Sequence, residues 1–136
     1  MKLIWLVFFT FVVALLFNSK ITAQKMEPTT IAQGQLDAYN NQNIIEFLSW
    51  YADDVEVYNF PNELVYKGKE EMSKRYINAW KLNPNQKAAV TNRLQIGNTV
   101  IDKEHITGRS SGIEANVFAI FKIENDKIVQ VYFIRE

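Results

Sequence analysis

Hydrophobic positions change their spacing several times along this chain, and each change marks an element. Residues 3–17 are apolar throughout apart from Thr10 and show no period. From Ile31 the spacing becomes helical, with Ile31, Ala32, Gln35, Leu36 and Tyr39 on one face. Pro28, Thr29 and Thr30 precede it, and a threonine hydroxyl there can accept from a free helix N–H. Asn40-Asn41-Gln42-Asn43 breaks the pattern as a turn, and a short second helix follows with Ile44, Ile45, Phe47, Leu48 and Tyr51 apolar. After Asp54 the period drops to two. Val55-Glu56-Val57-Tyr58-Asn59-Phe60 alternates and stops at Pro61, which predicts a strand running into a loop. Gly68 precedes a third helix, with Glu70 and Glu71 early and an apolar stripe of Met72, Tyr76, Ala79 and Trp80. It ends at Asn83-Pro84-Asn85. Strand patterns then cover 89–96, 99–107, 113–123 and 127–135, separated by Gly97-Asn98, a Gly108 to Gly112 loop and Glu124-Asn125-Asp126.

The predicted order is helix, helix, strand, helix, then four strands in a meander. Helices segregated from a mostly antiparallel sheet make an α+β fold. No internal repeat, linker or second domain interrupts it.

The N-terminal run is read separately. Lys2 supplies a positive start, the apolar stretch is about 15 residues long, and Ile21-Thr22-Ala23 ends in small residues. That length suits a secretory signal better than a membrane span, which needs about 20 residues. The expectation is a signal peptide over 1–23 cleaved after Ala23, a flexible lead-in over 24–28 and a domain over 29–136. The mature protein is then secreted or periplasmic and has no membrane partner. An uncleaved anchor is the alternative. Residues 1–23 hold two of the 15 basic residues and no acid, so 13 basic residues face 15 acidic ones in the remainder, a net charge of −2. With no basic cluster, nucleic acid is not an expected partner. The chain has no cysteine, which removes lipoprotein processing, disulfides, thiolate nucleophiles and cysteine-ligated metals together.

Several short motifs carry a resemblance. Tyr51-Ala52-Asp53-Asp54, Val55-Glu56-Val57, Pro61 and Tyr66-Lys67-Gly68-Lys69-Glu70-Glu71 occur in that order, followed by Ile96-Gly97-Asn98-Thr99-Val100-Ile101 and Asp126-Lys127-Ile128-Val129. Their succession resembles the nuclear transport factor 2-like superfamily, and within it the SnoaL-like and ketosteroid isomerase-like domains. The resemblance implies a cone-shaped barrel, in which a curved sheet wraps three helices and the open end holds a ligand. It also implies a homodimer formed through the sheet. Function must still be argued from the site, because such folds host isomerases, cyclases, dehydratases, epoxide hydrolases and non-catalytic binders.

The catalytic positions of these families match this chain only in part. The general base of the ketosteroid isomerase pattern falls on Asn59, its oxyanion-binding tyrosine near Gln35, and its protonated aspartate near Ala119 or Ile120. An amide cannot take a proton, and losing a positioned base costs about 10²- to 10⁴-fold in rate. Steroid isomerisation of that kind is therefore not expected. The limonene epoxide hydrolase pattern keeps its water-orienting asparagine at Asn59, ahead of Pro61, but its Asp-Arg-Asp set falls on His105, Thr107 and Phe133.

Of the remaining polar residues, Asn59 shares an otherwise apolar strand face with Val55 and Val57, so its amide is either bonded to backbone or aimed at a ligand. His105 is the single histidine and the one side chain whose ordinary pKa lies near neutrality. It shares a strand face with Ile101, Lys103, Thr107 and Arg109, while Val100, Asp102, Glu104 and Ile106 make the other. Neither set is cleanly apolar, so the pattern leaves open which one looks inward. His105, Asn59 and Glu56 are the candidate catalytic residues. Asn59, Gln35, Tyr39, Tyr76, Trp80, Phe118 and Phe133 are the candidate ligand contacts, since small-molecule sites are largely aromatic and apolar. Asp53 and Asp54 sit at a helix-to-strand corner and read as turn residues. No metal-ligand spacing is present, and neither a metal nor another cofactor is expected.

Three functions fit this pattern. The first is an exported domain binding a small apolar molecule in a conical pocket. The second is an isomerase-, cyclase- or hydratase-type enzyme using His105 or Glu56 for acid–base chemistry with Asn59 as orienter. The third is a non-catalytic dimeric interaction module.

Overall fold

The computed structural model describes residues 23–136, in the order α1 (Pro28–Asn40), α2 (Ile44–Ser49), β1 (Tyr51–Asn59), β2 (Glu63–Lys67), α3 (Lys69–Leu82), β3 (Lys87–Ile96), β4 (Thr99–Thr107), β5 (Ala115–Glu124) and β6 (Lys127–Arg135). The expected signal peptide, apart from Ala23, lies outside the described residues.

Local chemistry explains the boundaries. Pro28 stands at the first position of α1, where its missing N–H costs nothing. Neither Thr29 nor Thr30 caps the helix, because both lie inside it; Glu27 occupies the cap without a side-chain bond. Asn43 does cap α2, accepting from the Glu46 backbone N–H at 3.2 Å. Tyr51, read from the sequence as the last apolar residue of the second helix, instead starts β1 and is buried there. The short strand β2 has no counterpart in the sequence reading. It is an edge strand whose residues are mostly exposed, so no alternation marks it. At the other end, Asn125 and Asp126 both have positive φ and link Glu124 to its partner Lys127, the geometry of a two-residue type I′ hairpin.

The six strands form one sheet in the order β2-β1-β6-β5-β4-β3, in which only β1 and β6 run parallel. Register irregularities at Val57/Tyr58, Val90/Asn92 and Lys122/Ile123 bend it. The result is the expected α+β cone, with the helices on the concave side. Asn40 fastens the end of α1 to edge strand β3 by giving and taking one hydrogen bond each with the Ala88 backbone, at 2.9 and 2.8 Å. Gly34 lets the Trp50 indole lie on α1. A Cβ there would stand 2.2 Å from the ring, so no other residue fits without displacing it.

Phe47 is the centre of the core. It is fully buried, with ring centroids 4.5 Å from Tyr76, 5.0 Å from Tyr51, 5.7 Å from Trp80 and 6.2 Å from Tyr39. One ring thereby ties all three helices to β1. Truncating a buried phenylalanine costs about 3–5 kcal/mol, a large share of the stability of a domain this size. Phe47→Ala is expected to lower the unfolding free energy by that amount, seen as a lower urea midpoint at unchanged slope by far-UV circular dichroism; a loss under about 1 kcal/mol would remove Phe47 from this role.

Candidate functional site

Above the aromatic cluster the cone stays open, leaving a cavity of about 280 Å³ between the helices and the inner face of the sheet. At about 30 Å³ per water, that is room for a ring or two. Its floor is buried. Leu36 of α1, Val57 of β1, and Val117 and Phe121 of β5 supply the apolar wall. Tyr39, Tyr51 and Tyr76 serve two surfaces, packing on Phe47 from one side and facing the cavity from the other.

Polar groups in the floor are few. Gln35 is 5% exposed; its amide oxygen accepts from the Tyr51 hydroxyl at 3.0 Å, which directs its NH₂ group elsewhere. Burial holds the Tyr51 and Tyr76 phenols well above their ordinary pKa, so both stay protonated and keep a hydroxyl proton to donate. The Tyr39 hydroxyl accepts from Gln86 at the side of the cavity.

The acid in this pocket is Glu104. Strand β4 turns Val100, Asp102, Glu104 and Ile106 inward, and all four are buried. The two acids meet different fates. Asp102, fully buried, receives both Nε and Nη2 of Arg93 at 2.7 Å. Arg93 also donates to Gln33 at 2.9 Å, tying the ion pair to α1. Glu104 lines the cavity with no hydrogen-bond donor among the described residues. Burial first, and then the charge of Asp102, push its carboxyl up to about 7, with Arg93 pulling the other way.

The residues singled out from sequence divide by face. Gln35, Tyr39, Tyr76 and Phe133 line the cavity. Asn59 falls on the inner side of β1 but at its end, beyond the cavity wall, where it accepts from Arg135 at 2.6 Å and donates to Glu63 at 3.3 Å. Trp80 belongs to the aromatic core rather than the rim, 5.7 Å from Phe47. Phe118 is 40% exposed on the outer face of β5, with the Lys103 ammonium 5.9 Å from its ring centroid. His105 is also on the outer face, held by Glu114 at 2.9 Å and Asn116 at 3.1 Å. Glu56 is there too. Hydrogen bonds from Gln130, Tyr58 and Lys67 hold its carboxyl down at about 2, which fits a fixed anion and not a proton carrier.

Alternation explains these placements. Even-numbered residues of β4 face inward, so a catalytic set carried onto His105 and Thr107 lands outside the cone. The missed residue, Glu104, sits one position away. Its signal was available in the bracketing of two acids by Val100 and Ile106, and in the apolar inner residues Val117 and Ala119 that pair with Glu104 and Asp102. Among the described residues, no three His, Asp or Glu side chains gather as a metal-binding group.

A curved six-stranded sheet closed at one end by three helices and open at the other defines the nuclear transport factor 2-like class of α+β proteins. Within that class the chain belongs to the SnoaL-like domain family, whose sequence model matches residues 32–131. Among solved structures, it is similar to an uncharacterized cystatin-fold protein of Novosphingobium aromaticivorans, at 28% identity and TM-score 0.75 over 82% of this chain and 100% of that one. A provisionally assigned polyketide cyclase of Sinorhizobium meliloti aligns at 15% identity and TM-score 0.68, over 80% and 100% of the two chains. A provisionally assigned ketosteroid isomerase of Kribbella flavida aligns at 17% identity and TM-score 0.67, over 80% and 77%. Curated protein sequences give no match.

The raised pKa of Glu104 makes stability depend on pH. The unfolded chain releases this proton near 4.5 and the folded one near 7, so unfolding is favoured as pH climbs between those values. The cost reaches roughly 3 kcal/mol above that window, at about 1.4 kcal/mol per pH unit. Glu104→Gln is therefore expected to stabilise the protein by up to that amount near pH 8 and to be close to neutral near pH 4, as read by denaturant titration at each pH. A stability difference that does not change with pH would mean that Glu104 titrates normally.

Proposed function

We propose that the cone binds a small, largely apolar carbonyl compound and that Glu104 moves a proton on it, an isomerase-, cyclase- or hydratase-type chemistry. The observation that carries this reading is a buried carboxyl with no hydrogen-bond donor among the described residues, opening on a cavity with an apolar wall. A group titrating near 7 is suited to both directions of transfer, because it takes a proton readily and returns it readily. As carboxylate, Glu104 removes a proton from the carbon next to the carbonyl. The enolate oxygen gains hydrogen bonds from the NH₂ of Gln35 and the hydroxyl of Tyr76, and each such donor is worth about 3–4 kcal/mol in a dry site. The proton then returns from Glu104 to a second carbon, or to the first. The polyketide cyclase and ketosteroid isomerase assignments of similar folds are consistent with this class of reaction. Asn59, His105 and Glu56 take no part in it.

Solvent deuterium uptake by ring-sized ketones, followed by NMR, tests the reading. The wild-type rate is expected to rise with pH to a plateau, with a midpoint near 7. Glu104→Gln should lower it by about 10²- to 10⁴-fold while leaving binding intact. Equal rates for the two proteins would remove Glu104 as the proton carrier. A small molecule retained in native mass spectra of protein from its own host, without any exchange, would leave a binder.

The outer face supports a second proposal, self-association through the sheet. Leu94, Ile96, Phe118 and Ile134 are 58%, 77%, 40% and 39% exposed there, and cross-strand register sets Phe118 beside Ile134. Leu94 and Ile96 stand two residues apart on edge strand β3, and large apolar side chains gathered on one sheet face mark an interaction surface. Light scattering is expected to give a dimer that Phe118→Lys converts to monomer. A wild-type mass that stays monomeric as concentration rises would refute the proposal.

A further inference from the structure

Three guanidinium groups share the cavity with the single carboxyl of Glu104. Arg75 of α3, Arg109 of the β4–β5 loop and Arg135 at the end of β6 all line it. Arg75 and Arg135 are exposed and Arg109 is half-buried, while Gln35, Tyr51 and Glu104 are buried, so the arginines form the rim and the acid lies below them.

These cations are only partly neutralised. Arg75 gives its Nε to Glu71 at 2.8 Å, and its outer guanidinium nitrogens have no hydrogen-bond partner among the described residues. Arg135 bonds a neutral partner, the Asn59 amide oxygen, and Asn59 in turn donates to Glu63; among the described residues Arg135 has no salt bridge. Among the described residues, Arg109 has neither a salt bridge nor a hydrogen bond through its side chain; its charge is felt by Tyr39, which lines the same cavity. Two of the guanidiniums also lie over rings that line the cavity. Arg75 lies 4.8 Å from the Tyr66 centroid and Arg135 lies 4.4 Å from that of Phe133. A cation over a ring face is attracted by the ring and still carries N–H donors that can bond an anion.

A cavity lined by three cations and one acid that is easily neutralised carries a net positive charge. An apolar floor beneath a cationic rim selects an amphipathic ligand. On the reading that the cone holds a small apolar molecule, we infer that this molecule carries a terminal oxyanion, a carboxylate or a phosphate, which docks on Arg75, Arg109 and Arg135 while its ring body reaches Glu104. Planar guanidiniums bind both kinds of oxyanion in a two-point fork. The rim thereby sets the orientation of the substrate, and the distance from rim to Glu104 selects which carbon meets the carboxyl.

Benzoate, phenyl phosphate and benzyl alcohol separate the parts of this inference, because they share one ring and differ in charge. Each is titrated into the nitrogen-15-labelled full-length chain, with backbone amides of Val117 and Phe121 and the arginine Nε–H groups as reporters. At least one of the two anions is expected to bind roughly tenfold tighter than benzyl alcohol, with a preference that fades as salt is added. The tighter of the two identifies the oxyanion. Arg109→Gln and Arg135→Gln should each remove most of that preference, whereas Lys122→Gln, an equal change of charge on the outer face, should leave it intact. Benzyl alcohol binding as well as the anions would overturn the inference and leave the apolar cavity standing. Absence of shifts with all three probes would overturn it as well, and the deuterium-uptake comparison with Glu104→Gln would still decide the role of Glu104.

Discussion

The ring of Phe47 is the contact on which the other parts depend. Alpha-helices packed on a curved sheet can slide along it, and here one buried phenylalanine meets an aromatic residue from each neighbouring element, Tyr39, Tyr51, Tyr76 and Trp80. Such tilted ring pairs add about 0.5–1.5 kcal/mol each beyond the area they bury. The cluster plugs the narrow end of the cone. Because three of its tyrosines also face the opening, the same packing that seals one end shapes the floor of the cavity at the other. Core and site are two sides of one set of rings.

Against that floor, strand β4 delivers two carboxyl groups two residues apart, and the fold treats them oppositely. Asp102 is matched by a two-point bond from Arg93, which satisfies its charge and anchors α1 to the sheet. Glu104, two residues further along the strand, faces the cavity with no hydrogen-bond donor among the described residues. An unpaired buried carboxyl lowers stability, and a structure that only had to fold would do better with glutamine or leucine there. Local instability of this kind is concentrated at sites that do chemistry, where proton affinity has to sit near the working pH. Above Glu104 the charges change sign, and the arginine rim gives the cone a direction from cationic mouth to acidic floor.

Polar residues of the outer face show how little residue type alone says about role. His105 is of the residue type most often used as an acid or base, yet Glu114 and Asn116 hold it on the convex side of the sheet. Glu56 is gripped by three donors and stays ionised. Asn59 points inward but at the end of β1, where it bridges Arg135 to Glu63. In each case the neighbours contributed by other strands decide what the side chain can do.

Much of the architecture was legible in the order of residues. Helical and two-residue periods located all three helices and five of the six strands. The motifs from Tyr51 to Val129 pointed to the fold, because local propensity and apolar spacing act over a few residues and can be read directly. The exposed edge strand β2 left no period to find. The site was legible only in part: Gln35, Tyr39, Tyr76 and Phe133 were in view, but Glu104 was not. Val100-Asp102-Glu104-Ile106 and Ile101-Lys103-His105-Thr107 are equally plausible faces in one dimension. Which of them is inner depends on the partners β3 and β5 and on the side the helices cover. Those long-range pairings turned a one-residue difference into the difference between a buried acid and a surface histidine, and only the tertiary structure could decide it.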